Sequence, residues 1–419
     1  MAAAHEDSRG DVNGFEPQPI RSVSVIGAGL MGRGIALAAA QHGIAVTLSD
    51  ACEETLARSF DIIRTATAST PKAQGSAHRA ATSDADVASA DLVIEAVVES
   101  LQVKKQIFSR VEPLAGAGTI FASNTSCLRI SEIGACFARP ERFCGLHFCH
   151  PVADRSLVEV VRGERSSEAT LSAAERFVQR IGKLPIVVAD GPGFVVNRLL
   201  LPYLNEAVQL LCERVDLGAI EEAAISFGMP WGPITQLDSI GIDVAVRGGA
   251  IMHRAFPDRV LASELLIDLY KSGRLGEKTG AGFFTYDDRG RRGGLAAEVI
   301  AMIEDRRVRG ADRGSRSRDR DAIARRLFLP MLVEATRLVE EGIVADARDI
   351  DRSLVHGLAF LPAKGGILAW ADRAGAGRIV EWLTPLAALG ERYRPTPLLL
   401  ETAQRGGRFL DGLSREPAG

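Results

Sequence analysis

Long apolar runs are missing from this chain of 419 residues: no uncharged stretch approaches the ~20 residues that a bilayer crossing requires. Charge of one sign is also lacking. Lys+Arg number 50 and Asp+Glu 53, a net charge of -3, so no bulk field draws the chain toward nucleic acid or an anionic membrane. Small molecules are the expected partners. The six cysteines, at 52, 127, 136, 144, 149 and 212, follow no regular spacing in a large chain without a secretory signal, which excludes a disulfide framework and reads as reduced thiols. A soluble cytoplasmic protein is the expectation. Residues 1–20 mix acidic, polar and breaker residues with no apolar segment of signal-peptide length and read as a disordered tail.

From Arg21 the pattern changes. "RSVSVIGAGLMGRGIALAAAQHGIAVTLSD" is a β-branched strand, a glycine turn, an alanine-rich helix and a second strand ending at Asp50, a βαβ unit. Further strands are expected within 91–97, 119–123, 142–148, 156–161 and 184–189, with helical patterns between several of them, and this alternation predicts a doubly wound α/β sheet over 21–190. After "DGPGF" the sequence turns helical, over 191–286. Residues 287–320 interleave Gly, Arg and Asp and read as a solvated linker. Beyond it, "RLFLPMLVEATRLV" (326–339) repeats "RLLLPYLNEAVQLL" (198–211), proline included, and "GILAWAD" (366–372) echoes "GPITQLD" (232–238). The helical domain is therefore duplicated, its second copy over 321–414, and Pro202 and Pro330 should kink equivalent helices.

Gly27, Gly29 and Gly32 follow a strand, open a helix and precede the acidic Asp50 at the ~20-residue spacing of dinucleotide sites. Gly27, Gly29, Leu30, Met31 and Gly32 are the candidate pyrophosphate cradle, and Asp50 the acceptor of a ribose hydroxyl. Its carboxylate would repel a 2'-phosphate and no arginine follows closely, which favours NAD over NADP. "CGLHFCHP" (144–151) crowds two cysteines and two histidines together, yet strand alternation puts Cys144 and His150 opposite His147 and Cys149, so four ligands do not converge and no metal is expected.

"GAGLMGRGIA", "ADLVIEAVVES", "FASNTS", "GLHFCHPV", "LVEVV", "DGPGFVVNRLLLPYLNEA" and "GEKTGAGFF" stand in the order of the 3-hydroxyacyl-CoA dehydrogenases, which residues 21–286 resemble. Residues 321–414 look like the second helical repeat of the multifunctional fatty-acid oxidation proteins, here without their hydratase half. The resemblance implies a Rossmann-type sheet followed by two tandem all-helical domains, and NAD-dependent oxidation of a 3-hydroxyacyl thioester. It places the catalytic base at His147, with Glu159 orienting the imidazole, and Ser126 and Asn197 near the reacting carbon. It also places Glu99, Lys104 and Lys278 along the nicotinamide half of the cofactor, with Ser126 and His150 as further cofactor-binding residues. Single-copy relatives dimerise through the helical domain, so the internal copy implies a monomer with a pseudo-dimer inside one chain, and Arg325 in place of Asn197 implies that the second copy kept packing and lost chemistry.

Two departures from the family pattern follow. His150 stands where the family usually has asparagine. Between Asp50 and Asp84 the helical hairpin that helps dock coenzyme A is short, with Arg58, Arg64, Lys72 and Arg79 as the available cations. An acyl chain on a carrier protein is therefore an alternative substrate, and a catalytically silent NAD-binding scaffold is the reading from another class.

Overall fold

A computed structural model describes residues 19–68, 70, 72, 77–309 and 319–411. The expected tail falls almost wholly on residues 1–18 and the end of the expected linker on 310–318, both outside the described residues. Two compact units are present. The first comprises the chain through Thr125 with Arg129–Asp190, and the second Ser126–Leu128 with everything from Gly191.

The first unit is built on strands β1 Ser22–Ile26, β2 Ala45–Ser49, β3 His78–Ala80, β4 Leu92–Glu95, β5 Ile120–Ser123, β6 Phe143–Phe148, β7 Leu157–Arg162 and β8 Leu184–Ala189. They form one sheet in the order β3-β2-β1-β4-β5-β6-β7-β8. Helices α1 Leu30–Gln41, α2 Glu53–Thr67, α3 Asp84–Ala88, α4 Leu101–Val111, α5 Ile130–Gly134 and α6 Glu168–Arg180 connect them. The β-branched strands are continuous apolar runs because both faces are covered: Val23, Val25, Leu92 and Ile94 are all fully buried. Helix α1 packs through Ile35, Ala36, Ala39 and Ala40, whose small side chains let it lie close to the sheet. Pairing is parallel throughout except between β6 and β7. The connection from 149 to 156 is too short for the dozen or so residues that a parallel crossover needs, so the chain must turn back antiparallel. Strand β3, three residues with one partly buried, had no periodic signal to reveal it.

The second unit runs α7 Val196–Cys212, α8 Leu217–Phe227, α9 Pro233–Ile240, α10 Ile242–Ala255 and α11 Glu264–Lys271. A hairpin of β9 Phe284–Tyr286 and β10 Arg292–Leu295 and helix α12 Ala297–Arg309 follow, and then α13 Arg320–Glu340, α14 Arg348–Leu358, α15 Ile367–Ala374, α16 Ala376–Leu383 and α17 Pro397–Arg405. The stretch that reads as a linker thus carries a strand and a helix, and the helical part is not purely helical. Its mixed charges build the hairpin turn: the Asp287 carboxylate accepts from the Arg289 and Arg291 amides and pairs with the Arg291 side chain.

The same devices recur in both halves of this unit. Glu221 accepts from the Ile234 amide at the start of α9, and Asp351 from the Leu368 and Ala369 amides at the start of α15. Asp238 accepts from the amides of Phe283 and Phe284, and Asp372 from those of Phe409 and Leu410. Pro202 and Pro330 both lie inside their helices, α7 and α13.

The two copies meet reciprocally. Arg198 of α7 donates to Glu334 (2.7 Å) and pairs with Glu341, while Arg326 of α13 donates to Glu206 (2.7 Å) and to Glu213 (3.0 Å). Arg198, Glu206 and Glu213 occupy in the first repeat the positions of Arg326, Glu334 and Glu341 in the second, so each copy gives what it receives, as in an isologous two-fold interface. Arg325 is turned over the Trp382 ring, 4.7 Å from its centre. Because the Arg198 side chain is 1% exposed and Glu334 keeps Arg337 (3.3 Å) as a second partner, Arg198→Met should lower stability by about 1–3 kcal/mol, with Arg198→Met/Glu334→Met losing less. Urea unfolding of the full chain tests this, and a single variant as stable as wild type would contradict it.

Candidate active site

Strand β1 delivers the chain into its glycine turn against the end of β2, where the Gly27 amide donates to the Ser49 carbonyl. Gly27 has φ +99°, and a Cβ there would stand 2.6 Å from the Ala96 carbonyl oxygen; one on Gly32 would stand 1.7 Å from that of Gly27. Only glycine permits helix α1 to begin so tightly against the turn. At Gly29 a Cβ would meet nothing within 4 Å. Gly29 caps α1 without a side chain and the first turn holds no acidic residue, so the first amides of the helix, which have no partner within it, suit an anion such as a pyrophosphate. Leu30 is exposed at the first position of the helix and Met31 half-buried beside it. Asp50 accepts from the Ala28 amide (2.6 Å) and the Cys52 amide (2.8 Å), so it shapes the turn and still has lone pairs for a hydroxyl.

Beyond β4 and β5 lies a closed ring of polar contacts. Glu95, fully buried, accepts from Lys104 Nζ (2.8 Å), Ser123 Oγ (2.7 Å) and the Val97 amide (2.7 Å). Lys104 also pairs with Glu99 at 3.3 Å, and Thr125 Oγ1 donates to Glu99 at 2.6 Å. Lys104 is only 1% exposed, so this network presents Glu99 at its edge and keeps the ammonium inside. The adjoining Asn124 side-chain oxygen Oδ1 accepts from the Phe148 amide (2.9 Å), which ties the "SNTS" turn to the end of β6.

The antiparallel register sets His147 opposite Glu159. His147 Nδ1 lies 2.5 Å from Glu159 Oε2, the histidine 5% exposed and the glutamate fully buried. A carboxylate can only accept, so Nδ1 carries the hydrogen and Nε2 is the basic nitrogen. An arrangement of this kind can take a proton from a bound hydroxyl and return it.

His150 follows at the turn and is exposed. Burial, and then the Arg155 guanidinium, hold its imidazole below the ordinary histidine range, with Asp154 partly offsetting them. Burial pushes the Cys144 thiol up to about 12 and Cys149 higher still, where Glu159 adds to the effect; neither is a thiolate at neutral pH. Among the described residues no three His, Cys, Asp or Glu side chains converge as metal ligands would.

In the second unit Asn197 Nδ2 donates to the Ser126 carbonyl at 2.8 Å, and Lys278 pairs with Asp243 at the start of α10. Arg58 pairs with Glu54, Arg64 with Asp61 and Arg79 with Asp86, while Lys72 is exposed. Glu95, Asn124 and Lys183 organise the first unit without having been singled out in the sequence. Of these Glu95 had a signal, an acidic residue ending an apolar strand.

Two family profiles match the chain: "3-hydroxyacyl-CoA dehydrogenase, NAD binding domain" over residues 22–191, and "3-hydroxyacyl-CoA dehydrogenase, C-terminal domain" twice, over 193–286 and 323–409. Among curated relatives, the fatty acid oxidation complex subunit alpha of Pseudomonas savastanoi pv. phaseolicola is 36% identical over 417 residues, 95% of this chain and 56% of that protein. Its counterpart in Pseudomonas aeruginosa PAO1 is 35% identical over 412 residues, 93% and 56% respectively. The chain therefore spans little more than half the length of these relatives. Among solved structures, 3-hydroxybutyryl-CoA dehydrogenase from Escherichia coli K12 matches with TM-score 0.75 and 29% identity over 92% of this chain and 99% of that one. The (S)-3-hydroxybutyryl-CoA dehydrogenase from Ralstonia eutropha matches with TM-score 0.60 and 33% identity over 64% of this chain and all of that one.

Proposed function

The chain belongs to the 3-hydroxyacyl-CoA dehydrogenase family, oxidoreductases that act on CH–OH with NAD, and from that premise we propose that it reversibly oxidises an (S)-3-hydroxyacyl-CoA to the 3-ketoacyl thioester. The observation that carries this reading is the buried His147–Glu159 pair. His147 Nε2 takes the proton of the 3-hydroxyl in one direction and returns it to the carbonyl oxygen in the other. Glu159 holds Nδ1–H, fixing the tautomer, and stabilises the imidazolium that forms. When bound, NAD accepts the hydride leaving C3, and NADH supplies it in reverse. Gly27, Gly29 and Gly32, with the first amides of α1 at Leu30 and Met31, would hold the pyrophosphate, and Asp50 would accept from the ribose. Glu99, kept in place by Lys104, is assigned to the nicotinamide half together with Lys278, and His150 to the cofactor. Ser126 and Asn197 are assigned to orienting the substrate.

A carrier-protein thioester is the second reading. What favours it is that among the described residues each arginine between Asp50 and Asp84 already pairs with a neighbouring carboxylate, which leaves fewer cations to meet a coenzyme A nucleotide. The reciprocal arginine pairs support a further proposal, that the internal copy takes the place of a second subunit and the chain is a monomer of 44.8 kDa. Among the described residues no helix is long and apolar enough to cross a membrane.

Loss of NADH absorbance with acetoacetyl-CoA, repeated with the carrier-bound substrate, tests the activity. His147→Ala should lose about 10²- to 10⁴-fold in kcat while NADH binding stays near wild type. A residual rate above about a tenth of wild type would remove His147 from the role of base. Burial lowers the His150 pKa below its ordinary value, so any loss of rate from its charging should lie on the acid side of the ordinary histidine range. His150→Asn should stay active and flatten that acid limb, and an unaltered profile would contradict its involvement. Light scattering coupled to gel filtration should give one species of 44.8 kDa; a stable species of twice that mass would refute the internal pseudo-dimer.

A further inference from the structure

The motif "GAGLMGRGIA" contains a fourth glycine, Gly34, which the dinucleotide cradle does not explain. It lies one turn inside α1, past the residues that face the pyrophosphate. A Cβ on Gly34 would stand 2.9 Å from both Cβ and Cγ2 of Val152, closer than carbon atoms of packed side chains come. Val152 is 4% exposed and β-branched, so it cannot swing away from such a contact. It also stands five residues after His147, in the turn that carries His150.

The other side of that turn is fixed by a different group. Lys183, between α6 and β8, donates its ammonium to the Val152 carbonyl (2.5 Å) and the Arg155 carbonyl (2.7 Å). Within the turn the amides of Asp154 and Arg155 both donate to the Pro151 carbonyl. Val152 is thus held by its side chain against the cofactor helix and by its main chain against Lys183. The segment between them has little freedom to move along either direction.

We propose that Gly34, Val152 and Lys183 form a spacer that sets the distance between the cofactor helix α1 and the end of β6, and through it the distance between the nicotinamide and the base His147. These are positioning residues and touch neither substrate nor cofactor. The proposal rests on the dehydrogenase reading, in which hydride and proton leave the same substrate carbon and its oxygen. Both transfers then need one geometry, and a displacement of a few tenths of an ångström at Gly34 is felt in the rate and not in cofactor binding.

Three variants of the full chain test this. Gly34→Ala should lower kcat by about tenfold or more, since misplacement by 1 Å costs on the order of 10²-fold. The NADH dissociation constant, read by fluorescence, should change less than about twofold, because the cradle precedes Gly34. The isotope effect with NADH deuterated at the transferred position should rise, as hydride transfer becomes the slow step. Gly34→Ala/Val152→Gly should recover part of the lost kcat by removing the clash. Lys183→Met, which adds no bulk and loosens the turn from its other side, should show the same loss in kcat and the same rise in isotope effect, and keeps the test alive if Gly34→Ala fails to fold. An active wild type with kcat and isotope effect unchanged in the variants would overturn the spacer alone. A wild type without turnover on either thioester would remove the dehydrogenase reading and the spacer with it.

Discussion

The antiparallel pairing of β6 with β7 is the constraint on which the rest of the site depends. A sheet that is otherwise parallel would send its next strand away through a crossover helix, and the residue facing His147 would then come from a different part of the chain. The short connection forbids that. It folds β7 back on β6 in a register that sets Glu159 directly across from His147, both of them buried. The turn created by the reversal carries His150 and Val152. One topological departure thus yields both the pair and the loop beside it.

Around that pair the first unit spends several buried charges on geometry. Glu95 gathers an ammonium, a hydroxyl and an amide, and Asn124 passes the position of the "SNTS" turn to Phe148, next to His147. Lys183 does the same for the following turn. Buried ions are poor sources of stability compared with apolar side chains of equal volume, but a satisfied buried network admits few alternative arrangements. That property suits a reaction in which a proton and a hydride leave neighbouring atoms.

Much of this was legible in the residues. The βαβ opening, the glycine spacing and Asp50 are local patterns in which each residue type has one physical reason to be there. The duplicated helix was legible because a proline inside a helix is costly and two at matching positions are not chance. His147 and Glu159 needed more, since nothing local in "GLHFCHPV" or "LVEVV" says that the two strands run antiparallel in that register; only the family resemblance linked them. What stayed hidden is what depends on distant contacts. The hairpin in the expected linker arises from Asp287 gathering its own turn amides, the burial of Lys104 from a strand-end glutamate, and the role of Lys183 from two carbonyls about thirty residues earlier. The reciprocal Arg198 and Arg326 pairs were implied by the repeat but became visible only when both copies were placed in one unit.

The central claim is that Glu159 fixes the His147 tautomer with hydrogen on Nδ1, which leaves Nε2 as the base. Nitrogen-15 NMR of protein labelled in histidine, at pH 7.5 and with His147→Ala for assignment, measures this directly. The account predicts a strongly downfield N–H proton attached to His147 Nδ1 and a Nε2 without hydrogen, with the downfield signal lost in Glu159→Gln. A hydrogen found on Nε2, with Nδ1 bare and no change in Glu159→Gln, would contradict it.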